Sequence, residues 1–364
     1  MPLSQYDPAR YFALLEDKQA YIESLLKPFV LPPIEVFPSP PQHFRMRAEF
    51  RIWQEGDYCY YAMFHPEDRK TPIRIDSFPI GSQLINRLMP ALLEYVNNDT
   101  ELRRRLFQAE FLTTQSGEAL VTLIYHRSLS EPWMQSAQRL AEMLNIKLIG
   151  RSKKQKLVLS DDFVTETLTV DGKQYRYRQV ENGFTQPNAA VNEKMLYWVQ
   201  SRVCGSEGDA LELYCGNGNF TIVLAANFQR VLATEIAKTS VASAHWNFTH
   251  NGVDNVAIAR MSSAELTQAM NEERVFRRLA DIDLNAYHFS TVLVDPPRAG
   301  LDNATEQFVS RFDNILYISC NPMTLAGNLQ NLKKTHDITH FAIFDQFPYT
   351  HHIECGVYLR RRRG

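Results

Sequence analysis

A cysteine stands alone in Ser319-Cys-Asn-Pro322, directly after a run from Asn314 to Ser319 whose composition predicts a buried strand. Free cysteines are commonly small buried hydrophobes. Cys320 is different because the strand end and the helix start predicted at Asn-Pro put the thiol where a helix dipole favours a thiolate. A thiolate adding to carbon 6 of a uracil turns the ring into an enolate with its negative charge at carbon 5. Carbon 5 then accepts a methyl group from a sulfonium, which it does not do unaided. A base must afterwards remove the carbon 5 proton so that the thiolate can leave. Phe347-Pro-Tyr-Thr-His-His-Ile-Glu-Cys355 offers that base in Glu354, with His351 and His352 as orienting groups. A metal site made of His351, His352, Glu354 and Cys355 fails on spacing, because adjacent histidines point apart and no second ligand pair follows.

A second segment, Leu211-Glu-Leu-Tyr-Cys-Gly-Asn-Gly-Asn-Phe220, falls where a predicted strand gives way to a helix. Gly216 and Gly218 let the backbone turn sharply and approach a ligand. A lone Gly-x-Gly is weak and fits any such turn. The third glycine of the dinucleotide fingerprint is missing, which disfavours a pyrophosphate cradle. Glu235 ends the next predicted strand about twenty residues on, where an acid accepts both ribose hydroxyls. A neutral loop with this acid suits the ribose and amino-acid parts of S-adenosylmethionine. Asp295-Pro-Pro-Arg-Ala-Gly300 closes another strand at the same rim, its prolines stiffening the loop. Enzymes that methylate amino groups place an aromatic residue after a related loop; Arg298 stands there instead and argues against that chemistry.

The elements that must position these residues follow from periodicity. From about Gly183 strands and helices alternate: strands at 210–214, 230–235, 255–259, 291–295 and 314–319, helices at 219–227, 237–249, 262–270, 305–312 and 323–333. That is a doubly wound α/β sheet, with its ligand site beyond the carboxyl ends of the strands. Strands at 338–346 and 354–359 form an antiparallel close, completing a mostly parallel seven-stranded, Rossmann-like sheet. The first half reads as α+β: a helix over 7–29, a proline-rich extended stretch, hairpins at 46–64 and 107–126, helices at 82–96 and 132–144, and short strands over 147–178. Two domains are expected, an α+β RNA-binding domain at 1–182 and a catalytic domain at 183–364.

The 364 residues carry a net charge of −2, so any nucleic-acid surface must come from local clustering. Arg45, Arg47 and Arg51; Arg69, Lys70 and Arg74; Arg103, Arg104 and Arg105; and Arg151, Lys153, Lys154 and Lys156 are such clusters, each most simply a solvated face. The tail Arg360 to Arg363 is a better phosphate-attracting arm. No apolar run reaches the roughly 18 residues of a membrane span. Met1 to Asp7 lacks a signal-peptide pattern. Five scattered cysteines without a CxxC pair fit reduced thiols and a cytoplasmic location.

Taken together, Phe184-Thr-Gln-Pro-Asn188, Glu212 to Phe220, Asp295 to Arg298, Ser319 to Pro322 and His351 to Cys355 resemble the uracil-5 RNA methyltransferase family. They are closest to its branch that makes ribothymidine in the T-loop of tRNA. Arg45 to Trp53 and Arg178 to Glu181 also resemble that branch. The resemblance implies S-adenosylmethionine contacts at Gln186, Tyr214, Gly216, Asn219, Glu235 and Asp295, a nucleophile at Cys320 and a base at Glu354. It implies tRNA, through its T-arm, as the partner, and leaves open whether other RNAs with a T-loop-like hairpin are substrates. No metal is expected from the residue spacing, and a monomer is the default because the sequence offers no clear oligomerisation surface. A T-loop uridine must be flipped out to be reached. Phe107 is placed to fill the vacated stack, with Arg51 and His126 meeting phosphate or base edges. The ribosomal branch is the alternative; some of its members carry an iron–sulfur cluster, which Cys59, alone in the first 200 residues, cannot ligate. An RNA-folding module would need neither Cys320 nor Glu354, and cytosine carbon 5 methylation usually sets its cysteine after Pro or Thr.

Overall fold

The computed structural model describes residues 6–65 and 67–362. Met1 to Gln5, on which the N-terminal reading partly rests, and Arg363 of the basic tail lie outside them, as does the side chain of Arg69. The first half runs α1 (Tyr11–Leu25), β1 (Ile34–Phe37), β2 (Arg47–Glu55), β3 (Tyr58–His65), β4 (Asp68–Arg74), α2 (Gln83–Asn98), α3 (Thr100–Arg103), β5 (Leu106–Thr113), β6 (Ala119–Tyr125), α4 (Glu131–Leu144), β7 (Lys147–Ser152), β8 (Gln155–Val158), β9 (Phe163–Val170) and β10 (Lys173–Val180). A seven-stranded sheet forms in the order β4-β3-β2-β5-β6-β7-β8. It is antiparallel except where β6 pairs with β7. Along β2 the alternation is strict: Ala48, Phe50 and Ile52 are buried, whereas Glu49, Arg51 and Trp53 are exposed. The inward set packs with Ile85, Met89 and Leu92 of α2 and Trp133 and Leu140 of α4. Ser82 starts α2 by accepting the Ile85 amide. One sheet face is thereby covered; on the other, Leu112, Leu120 and Ile149 are buried with Val164 of β9, while Glu49, Arg51 and Trp53 of β2 stay exposed.

The second half runs α5 (Ala189–Val203), β11 (Asp209–Leu213), α6 (Thr221–Ala225), β12 (Val231–Thr234), α7 (Lys238–His250), β13 (Val256–Ala259), α8 (Ser263–Met270), β14 (Phe289–Val294), α9 (Asn303–Val309), β15 (Asn314–Ser319), α10 (Pro322–Leu332), β16 (His336–Phe344) and β17 (Glu354–Arg361). Its sheet has the order β1-β16-β17-β15-β14-β11-β12-β13, and β17 alone runs antiparallel to its neighbours. The expected seven strands are therefore present, and β1 adds an eighth by pairing parallel to β16. Strands β11, β14 and β15 are buried on both faces: Leu211, Val292 and Tyr317 fill one side, Ala210, Leu293 and Leu316 the other. The hairpin of β9 and β10 stands as its own two-stranded sheet, its Leu168, Tyr175 and Tyr177 packing with Met195 and Val199 of α5. The sheets do not divide the chain at one point, because the edge strand of the second sheet comes from the first 40 residues. Among the described residues no helix is long and apolar enough to cross a membrane.

Candidate active site

Register brings the expected segments to one rim. Leu213 pairs with Val294, and Val294 with Tyr317, so the loops after β11, β14 and β15 leave the sheet side by side. The antiparallel β17 enters where β15 ends: Ser319 pairs with Cys355, which sets Cys320 beside Glu354. The loop after β11 needs left-handed backbone at Tyr214 (φ +64°), Gly216 (+57°) and Gly218 (+80°). At Gly218 a Cβ would meet the Phe248 ring at 2.7 Å, so only glycine fits.

A cavity of about 600 Å³ lies over this rim, and Gln186, Tyr214, Gly216, Asn219, Glu235, Asp295, Cys320 and Glu354 all line it. Glu235 accepts the Gly216 amide at 3.0 Å and the Ala237 amide at 2.7 Å, which fixes its carboxylate at the loop and leaves each oxygen one free lone pair. Asn219 makes a reciprocal amide pair with Asn192 of α5, both bonds 2.9 Å. The Tyr214 hydroxyl accepts from Ser263 Oγ at 2.6 Å. Among the described residues Arg298 is the one Lys or Arg in the lining, against the carboxyl groups of Glu235, Asp295 and Glu354. This acid-rich lining, with a single cation, is averse to phosphate and fits a cofactor with a sulfonium and an ammonium. Below it, Glu212 on β11 is fully buried, and neither of its carboxyl oxygens has a hydrogen-bond partner. Burial, reinforced by Asp295 and Glu235, pushes Glu212 up to about 8.

The reactive groups shape one another's charge. Burial pushes Asp295 up to about 7. Glu354 is held well above the ordinary carboxylate range by burial and by Asp295, with Arg298 opposing. Burial first, then Glu354 and Asp295, push the Cys320 thiol up to about 11, again with Arg298 opposing. Asn321 does cap α10, accepting the Met323 amide, so a helix begins where it was expected. The dipole there favours a thiolate, but desolvation and two nearby carboxyl groups act in the opposite direction and outweigh it.

Cys320 also borders a second cavity, of about 960 Å³, whose walls include Arg10, Tyr21, Met323, Tyr349 and His351. Lys18, in α1, holds this region together. Its buried ammonium donates to Asp345 Oδ1 at 2.6 Å, to the Phe347 carbonyl at 2.9 Å and to the His352 carbonyl at 3.0 Å. All three protons of the ammonium thus tie α1 to the turn that carries Glu354. His352 contacts the Arg298 guanidinium at 2.9 Å, whereas His351 is exposed. Lys18, Asp345 and Asn192 were not singled out by the sequence. A lysine at a buried helical position was the one available signal.

On the first sheet the three expected RNA contacts form one stack. The Arg51 guanidinium lies 3.5 Å from the centroid of the Phe107 ring, and His126 stacks on Phe107 at 3.9 Å. Arg51 and His126 are exposed and Phe107 half-buried, so the ring is not core. Most other basic clusters are engaged internally. Arg47 donates to the Gly183 carbonyl, Arg103 to the Asn97 carbonyl, and Arg151 and Lys156 pair with Glu181. In the basic tail Arg360 and Arg361 end β17, Arg361 pairs with Asp313, and Arg362 pairs with Asp337.

A family model described as tRNA (Uracil-5-)-methyltransferase matches residues 10–362. A tRNA/tmRNA (uracil-C(5))-methyltransferase of Saccharophagus degradans is 56% identical over 361 residues, covering 99% of each chain. One of an Enterobacter species is 53% identical over 364 residues, covering 99% of this chain and 98% of its own. The crystal structure of Pyrococcus abyssi tRNA (uracil-54, C5)-methyltransferase in complex with S-adenosyl-L-homocysteine superimposes with a TM-score of 0.71. It shares 22% identity and covers 96% of this chain and 83% of that one, a likeness of fold.

Proposed function

The chain belongs to the tRNA (uracil-5-)-methyltransferase family, and from that premise we propose that it methylates carbon 5 of the T-loop uridine of tRNA through a covalent bond between Cys320 and carbon 6. S-adenosylmethionine supplies the electrophilic methyl group. Gln186, Tyr214, Gly216, Asn219, Glu235 and Asp295 are its holding residues, and Arg51, Phe107 and His126 meet the RNA. The single observation that carries the reading is that Cys320 lines both cavities. A uridine flipped into the larger one presents carbon 6 to the thiol and carbon 5 toward the smaller one.

Cys320 passes its proton to a neighbouring carboxylate, and its sulfur bonds to carbon 6, moving the ring's electron pair onto carbon 5 and the carbon 4 oxygen. Once carbon 5 carries the methyl group, Glu354 removes the remaining proton there. The electron pair returns to the ring as the sulfur–carbon 6 bond breaks. A carboxyl held high by burial and by Asp295 is a stronger base than a solvated one, which suits that step. Residues 1–182 serve mainly RNA binding and 183–364 catalysis, with α1 and β1 crossing to the catalytic side. The relatives are tRNA/tmRNA methyltransferases, and on that ground other RNAs with a T-loop-like hairpin are proposed as substrates. The enzyme is proposed to work in the cytoplasm as a monomer.

The test is incubation of unmodified tRNA transcript with methyl-labelled S-adenosylmethionine, followed by nucleoside analysis. Wild type is expected to place the label in 5-methyluridine of the T-loop. Cys320→Ala is expected to place none, and Glu354→Gln to stop turnover while leaving RNA attached to protein on a denaturing gel. Label transferred by Cys320→Ala at the wild-type rate would refute the covalent route.

A further inference from the structure

We propose that α1 is a wall of the RNA site and that Arg10 takes a backbone phosphate of a nucleotide flanking the target uridine. This rests on the function proposed above and adds residues to its substrate site. The cavity on the α1 side of Cys320 is about 960 Å³, against about 600 Å³ for the one matched to a cofactor made of a nucleoside and an amino acid. A space larger than that exceeds what one flipped uridine needs, so it takes the strand on at least one side of the target as well.

Helical spacing explains why α1 faces both ways. Arg10, Leu14, Asp17, Lys18 and Tyr21 recur at helical intervals and line the cavity, while Tyr11, Leu15 and Ile22 are buried in the protein. Three cations border the space. Lys18 is neutralised by Asp345, and Arg298 is engaged with His352 and screened by Glu354. Arg10 is exposed and, among the described residues, has no ion pair. Two acids, Asp7 and Asp17, share the wall, and Asp7 accepts the Ala9 amide at 3.0 Å. The three bonds from Lys18 to the Glu354-bearing turn fix α1 against the reaction centre, so a phosphate held at Arg10 sits at a set offset from Cys320. A guanidinium is the side chain suited to a phosphate at such a place.

The experiment measures tRNA affinity across a salt series for wild type, Arg10→Ala and Arg10→Lys, with turnover read on the same samples. Arg10→Ala is expected to weaken binding roughly tenfold and to reduce the slope of log affinity against log salt by about 0.7 to 1. Arg10→Lys should recover most of both. Near-wild-type turnover at saturating RNA and an unchanged unfolding midpoint would separate a contact from a folding defect. Wild-type affinity and slope in Arg10→Ala, with turnover intact, would overturn the phosphate contact alone. Absence of turnover by the wild-type protein would overturn the functional reading as well.

Discussion

Cys320, the nucleophile we propose, carries a thiol that its surroundings keep protonated. With its thiol pushed up to about 11, the thiolate fraction at neutral pH is on the order of one in ten thousand. Burial and the charges of Glu354 and Asp295 all favour the protonated form, so raising the pH releases the thiolate and lowering it does not. Alkylation of Cys320 by iodoacetamide, followed by peptide mass spectrometry, is therefore expected to quicken about tenfold per pH unit from pH 6 to 9. A plateau near pH 7 would contradict this and restore a thiolate stabilised by the helix dipole. Sequence singled out Cys320 and Glu354 because both stand in short distinctive segments. It missed the sign of the charge effect, because Asp295 and Glu354 meet the sulfur only through strand register.

The elements that hold this chemistry in place come from both halves of the chain. Lys18 is buried against Asp345, their side chains 8% and 2% exposed, and its two further bonds fasten the turn before β17. Removing one partner of such a pair strands the other charge, so Lys18→Met is expected to lower unfolding stability by about 3–5 kcal/mol. Adding Asp345→Asn should recover part of it, as urea unfolding of both variants would measure. A loss below about 1 kcal/mol in Lys18→Met would contradict the clamp. Periodicity made the hairpins, the β/α alternation and the closing antiparallel strand legible, since each has its own pattern of burial. It did not expose β1, whose four half-buried residues sit among prolines and pair with a strand three hundred residues on. Nor did it expose α5, whose apolar residues occupy too many faces to give a clean stripe.

At the scale of the whole molecule, the proposed mechanism depends on where two cavities meet. The rim of the doubly wound sheet provides one, α1 and the turn before β17 provide the other, and Cys320 stands in both walls. Sequence gave no view of that junction, because cavities are properties of packing and the segments bordering this one span most of the chain. The stack of Arg51, Phe107 and His126 was legible as residues but not as a stack, since it forms across β2, β5 and the end of β6. The most direct measurement replaces the target uridine of a tRNA with 5-fluorouridine and supplies S-adenosylmethionine to the wild-type protein. Fluorine at carbon 5 leaves Glu354 no proton to remove, so the adduct must persist. A denaturation-stable complex is expected, with the methylated, fluorinated nucleotide attached to the Cys320 peptide by mass spectrometry. Methylated RNA released free of protein, or an adduct on any other residue, would contradict the covalent route through Cys320.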